Sequence, residues 1–195
     1  MAHRYGKFTS RTKARKRAAD ILFEADQKGI VSNRSALLEL LEERKGITSA
    51  SSPLPEYAVT LVTGVADEYN QIEHLLEGRA KGAGLDRLPA VDLAVLRVAT
   101  WELLRNGEEV PPVSAIDEAV TIVKQLSTDD SPAYVNAVLD AIRKDLDNPW
   151  ARGTKSVVEG ATEPTEPAVD VTVQEVASDS AAPFDEDLDE LLGEY

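Results

Sequence analysis

Seven cations, Arg4, Lys7, Arg11, Lys13, Arg15, Lys16 and Arg17, fall within the first seventeen residues, and no acidic side chain stands among them. Guanidinium and ammonium groups at this density can neutralise several phosphates, with an affinity that falls steeply as salt rises. Tyr5, Phe8 and Phe23 lie within or beside the cluster. Aromatic rings in such a place can stack on unpaired bases, which is how proteins hold single-stranded RNA. The rest of the chain is acidic: 35 Asp and Glu against 21 Lys and Arg over 195 residues give a net charge of −14. A basic segment in that background is hard to ascribe to composition, so the charge pattern argues for nucleic-acid binding. The competing structural reading is a solvated basic face with Phe23 turned into the core.

Other chemistry finds little support. With no cysteine, disulfides, thiolate zinc sites and cysteine nucleophiles are excluded. His3 and His74 share no metal-ligand spacing, so no metal site is expected. The glycines Gly78, Gly82 and Gly84 lack the strand and the Lys-Ser/Thr ending of a phosphate cradle, and read as a connection. Ser10 to Lys13 spells Ser-x-x-Lys, but the companion motifs of acyl-transfer enzymes are missing and the site is a helix start. Carboxylates are plentiful without a His or Lys base in an apolar setting, so no catalytic residue and no cofactor are expected.

The elements that must position the cations are helices. Every long segment before Pro149 repeats apolar residues three and four apart, and none shows sustained strand alternation, which predicts an all-α fold. The first helix starts near Thr9 or Ser10 and puts Ala14, Ala18, Ile21, Leu22 and Ala25 on one face, leaving Arg11, Lys13, Arg15, Lys16 and Arg17 opposite. Gly29 ends it. A second helix is predicted over about 33–45, and a third from about Pro55 with Tyr57, Leu61, Val65, Tyr69, Ile72 and Leu76 as its stripe.

A fourth, about 88–105 with Asp86 as its cap, is apolar around most of its circumference and is expected at the centre, with Trp101 and Tyr57 in the core. Ser114 and Asp117 resemble a capping box for a fifth. Ser131 caps a sixth that buries Val135, Val138, Leu139, Ile142 and Leu146.

Composition shifts at Pro149. From there to Tyr195 there are two basic and twelve acidic residues and no helical stripe until Phe184, Leu188, Leu191 and Leu192. The expected organisation is therefore a helical domain over 1–148 and a disordered acidic tail over 149–195. No apolar run approaches the roughly 18 residues needed to span a bilayer. Asp20 and Glu24 follow the basic start where a leader would need an apolar stretch, so a cytoplasmic protein is expected.

Three stretches carry a specific resemblance: RTKARKRAADILFEA at 11–25, DRLPAVDLAVLRVATWELL at 86–104, and VPPVSAIDEAVTIVKQLSTDDSPAYVNAVLDAI at 110–142. In order and spacing they resemble the transcription antitermination factor NusB family over roughly residues 9–147. The resemblance implies a compact bundle of about six to seven helices in two halves, no enzymatic activity, and binding of the boxA element of ribosomal RNA leader transcripts. It implies as partners NusE, a small-subunit ribosomal protein, together with other Nus factors and the elongating RNA polymerase.

Residue by residue, the family's RNA contacts align with Arg11, Lys13 and Arg15, with Lys16 added, and with Phe23, Tyr134 and Asn136. Its partner-facing acids align with Asp92 and Asp130. The chain departs from the family pattern in having Tyr134 for Phe, Ala137 for Gly and Asp117 where Asn is common. Each position has a structural alternative: Asp130 can favour the positive end of the last helix, Asp92 can complete a helix surface, and Asn136 can satisfy a backbone group. Two other functional forms compete with this reading. One is a homodimer that hides the RNA surface. The other is an accessory RNA-binding domain of ribosomal RNA methyltransferases, for which a cofactor-binding α/β domain would be needed and the acidic tail cannot supply one.

Overall fold

The computed structural model describes residues 9–46, 53–80 and 84–148. The cations Arg4 and Lys7, the aromatics Tyr5 and Phe8, Gly82, most of the small-residue stretch after Gly46, and the acidic segment from Pro149 lie outside the described residues. Six α-helices follow one another: α1 (Ser10–Gln27), α2 (Arg34–Gly46), α3 (Glu56–Glu77), α4 (Ala90–Arg105), α5 (Pro112–Leu126) and α6 (Ser131–Asp147). A 3₁₀ turn, Leu85–Arg87, precedes α4, and no strand occurs among the described residues. The fold is all-α, as the apolar spacing requires. None of these helices is long and apolar enough to cross a membrane.

The centre is α4, which packs against α1, α3, α5 and α6. Residues 92–100 are buried without interruption, because the helix meets neighbours around most of its circumference. One of those residues is charged. Arg97, 3 % exposed, is satisfied by Glu73 of α3 at 2.9 Å and Asp26 of α1 at 2.9 Å, with the Tyr69 ring 5.5 Å away. Burial pulls its pKa down, but these carboxylates outweigh it and the net shift is upward. Three helices are thereby tied at one point.

A glycine lets α3 and α4 approach closely. A Cβ built on Gly64 would lie 2.1 Å from Cε2 of Trp101, so the indole rests where any side chain on α3 would stand. Trp101 and Tyr57 are both half-buried and packed on the core.

Helix starts follow the chain's local chemistry, with three differences from the sequence-based expectation. Asp86 lies in the 3₁₀ turn, and α4 begins at Ala90, because Leu88 precedes a proline and takes an extended ψ of 147°. The Ser114 box does not form. Its helix starts two residues earlier at Pro112, whose fixed φ suits a first turn. Nor does Ser131 cap α6: Asp130 holds the cap position without a side-chain cap bond, and the Ser131 hydroxyl is engaged elsewhere.

Candidate RNA and partner interface

The basic face begins at a capped helix end. The Thr9 side chain accepts a hydrogen bond from the Thr12 amide at 3.1 Å, which fixes the first turn of α1. Arg11 projects beside it with its guanidinium 5.1 Å from the Tyr57 ring centroid and 3.9 Å from the exposed Glu109 carboxylate. Further along, Lys13, Lys16 and Arg17 line a groove of about 290 Å³ with Ser10 and Pro55. Lys13 is exposed and Lys16 half-exposed, the latter paired with Asp20 one turn on at 3.0 Å. Exposed pairs of this kind are worth little and exchange readily for a phosphate. Phe23, 36 % exposed, stands six residues past Arg17 on the outer surface, so the reading that buries it in the core does not hold.

Arg15 does not share that surface. The helical period placed it among the outward cations, whereas the structure turns it inward until 4 % is exposed. Its Nε donates to Glu102 Oε2 at 2.9 Å and its Nη2 to Glu102 Oε1 at 2.8 Å. Glu118 lies 3.7 Å away and the Tyr57 ring 5.6 Å. The Tyr57 hydroxyl also donates to Glu102 and accepts from Asn106 at 3.0 Å.

Burial lowers the Arg15 pKa, yet the Glu102 hydrogen bond and charge more than reverse this and hold it above its ordinary value. Burial, then the bond to Glu102, pushes the Tyr57 phenol up to about 12. Both groups therefore keep their protons across the physiological range. Arg15 lies beneath the basic face and anchors α1 to α4.

The second candidate area is the turn between α5 and α6. Asp129 and Asp130 are exposed there. Asp92, grouped with Asp130 as a surface acid from sequence, is instead 2 % exposed. Its position in the first turn of α4 faces α6, and its Oδ2 accepts the Ser131 hydroxyl at 2.6 Å. Tyr134 is half-buried, and burial followed by the charge of Asp92 raises its phenol pKa. Asn136 and Ala137 are exposed, so Asn136 faces solvent and the methyl of Ala137 meets no packed backbone. The structure thus brings Asp92, Ser131 and Tyr134 together beside Asp130, and gathers Lys13, Lys16 and Arg17 in one groove.

Sequence reasoning missed Glu102 and Ser131 as members of these sites. Arg15 carried a legible signal, since it lies one turn before Ala19 and two before Leu22, both buried. Among the described residues no group of three or more His, Asp or Glu is placed to hold a metal ion.

The NusB family model matches residues 12–144. The chain belongs to the NusB family. It is 48% identical over 133 residues to the transcription antitermination protein NusB of Beutenbergia cavernae, covering 67% of this chain and 86% of that one. With the protein of the same name from Saccharopolyspora erythraea the identity is 50% over 133 residues, 68% of this chain and 86% of the relative. These are transcription factors, and the chain is not an enzyme.

Two solved structures share the fold. T. maritima NusB superposes with a TM-score of 0.56 at 30% identity, over 71% of this chain and 93% of that chain. A structure of the antitermination factors NusB and NusE in complex with dsRNA superposes with a TM-score of 0.53 at 29% identity, over 73% of this chain and 98% of that one.

Proposed function

We propose that this NusB-family factor binds boxA RNA of ribosomal RNA leader transcripts together with NusE, and acts with other Nus factors on the elongating RNA polymerase complex. The observation that carries the reading is the groove in which Lys13, Lys16 and Arg17 converge, with Phe23 exposed on the same helix. Phosphates meet the cations while unpaired bases stack on Phe23 and, from α6, on Tyr134, with the exposed Asn136 free to read a base edge. The exposed acids Asp129 and Asp130 suit a basic ribosomal protein. A NusB–NusE–RNA assembly of a related protein supports the same pairing here.

NusE docked on the acidic turn adds phosphate contacts of its own, so partner and RNA bind cooperatively. Titration of labelled boxA RNA with and without purified NusE tests this. Linkage requires that boxA tighten NusE by the same factor that NusE tightens boxA, typically about 5- to 150-fold. NusE affinity indifferent to boxA excludes the cooperative assembly, and equal affinity for boxA and a scrambled RNA excludes the boxA assignment.

A further inference from the structure

We propose that Asp92 is a positioning residue, which holds the α5–α6 turn through Ser131 so that Asp129 and Asp130 are presented as a preformed acidic pair to a basic protein partner. The identity of that partner as NusE rests on the reading above. The geometry of the turn does not.

The four residues between α5 and α6, Ser127 to Asp130, are knotted together by hydroxyls. Ser131 Oγ lies 2.6 Å from Asp92 Oδ2, 2.8 Å from Thr128 Oγ1 and 3.0 Å from Ser127 Oγ. A serine hydroxyl has one hydrogen, and the charged carboxylate at the shortest distance takes it. The Thr128 hydroxyl then donates to the Ser131 oxygen, and the Ser127 oxygen is the second acceptor within reach of the Ser131 hydroxyl. Both ends of the turn are thus fastened to a single atom whose own proton is held by α4. Backbone bonds complete the shape, from the Ser131 amide to the Thr128 carbonyl at 3.2 Å and from the Tyr134 amide to the Asp130 carbonyl at 3.3 Å.

Stability alone gives a poor reason for an acid at position 92. The residue is 2 % exposed, and its Oδ1 has no hydrogen-bond partner. A buried carboxylate left half satisfied is costly, and an apolar residue of similar volume would relieve that cost. The first turn of α4 offsets only part of it through the helix dipole. What the carboxylate does secure is the turn. Asp130 spends no side-chain bond on capping α6, and both it and Asp129 are exposed. Holding them in place before association removes an ordering cost that a loose turn would incur on binding.

Four variants separate positioning from direct contact, with purified NusE as the probe and amide hydrogen exchange at Ser131 and Tyr134 as the partner-independent readout. Asp92→Ala and Ser131→Ala should each weaken NusE binding about five- to tenfold, the scale of ordering a few side chains, and should speed exchange at both amides. Asp92→Asn keeps an acceptor for the Ser131 hydroxyl while losing the charge, and should restore both readouts to near wild type. Should Asp92→Asn bind as weakly as Asp92→Ala, the charge itself meets the partner and the positioning role is overturned. Wild-type affinity and exchange in Ser131→Ala overturn it equally. Asp130→Lys is the control: if it leaves NusE binding intact, the partner assignment fails, while the exchange rates still decide whether Asp92 orders the turn.

Discussion

Arg15 of α1 and Glu102 of α4, 87 residues apart in the chain, face each other through three hydrogen bonds of 3.1, 2.9 and 2.8 Å with side chains 5% and 0% exposed. Charges so deeply withdrawn from water are tolerated only when paired and hydrogen-bonded, and here Tyr57 and Glu118 complete the shell. The pair sits directly under the basic face. Its effect on RNA is therefore expected through the placing of α1.

Breaking the pair should be costly. Arg15→Ala leaves Glu102 buried without its counter-charge, and Glu102→Ala does the same to Arg15, each at about 3–5 kcal/mol. Urea unfolding monitored by circular dichroism measures this. A loss below about 1 kcal/mol, the ceiling usual for exposed pairs, would show that the pair is solvated.

Gly64 is the second position where the fold admits one residue type. A methyl there would overlap the Trp101 indole at 2.1 Å, although alanine is by itself the better helix former by about 1 kcal/mol. Overpacking outweighs propensity, so Gly64→Ala should destabilise by about 1–3 kcal/mol. Adding Trp101→Leu should recover part of the loss, since the clash and its relief share one site. Additive losses in the double variant would show that the two residues do not meet.

Helix boundaries were legible to within a few residues, although the caps expected at Asp86, Ser114 and Ser131 do not form. Capping chemistry put the start of α1 near Thr9 or Ser10, and the helix begins at Ser10 with Thr9 as its cap; α4 begins two residues later than expected because Pro89 forces Leu88 out of helical conformation. Long-range pairing was not legible. An amphipathic pattern reports which side of a helix is apolar, and a cation on the edge of that side reads as solvated unless its partner is known. The pairings of Arg15 with Glu102 and of Arg97 with Asp26 and Glu73 were hidden for that reason, even though the spacing of Arg15 from Ala19 and Leu22 hinted at its burial. Asp92 misled differently. Family resemblance made it a surface acid, yet Leu93, Val95 and Leu96 beside it are all buried, as an apolar circumference should have implied.

Acid should expose a smaller link between α1 and α2. The Arg44 hydrogen bond, partly opposed by burial and then aided by Lys28, lowers the pKa of Glu24 from 4.5 to about 2. A carboxylate depressed in the folded state stabilises above its unfolded pKa, and that contribution disappears as pH falls through the folded value. The difference in melting temperature between the native chain and Glu24→Gln should therefore be full above about pH 5 and vanish as pH approaches 2. A difference that stays constant over this window would mean that Glu24 titrates normally and its contact with Arg44 is not formed in solution.

The cations of α1 should divide into two kinds by salt dependence. Exposed ammonium and guanidinium groups release counterions when they meet phosphates, and for single strands each contributes about 0.7 to the slope of log affinity against log salt. Replacing Arg11, Lys13 and Lys16 with Ala should lower that slope by about 2, with helicity nearly unchanged because their side chains lie outside the core. A buried cation behaves otherwise. Arg15→Ala should weaken RNA binding by displacing α1 while leaving the slope close to that of the native chain, since its charge is spent on Glu102. Binding isotherms for boxA RNA over a range of salt concentrations, measured on both variants, decide the matter. A slope reduced by Arg15→Ala alone would return that residue to the phosphate-binding surface, and an unchanged slope in the triple variant would remove the basic helix from it.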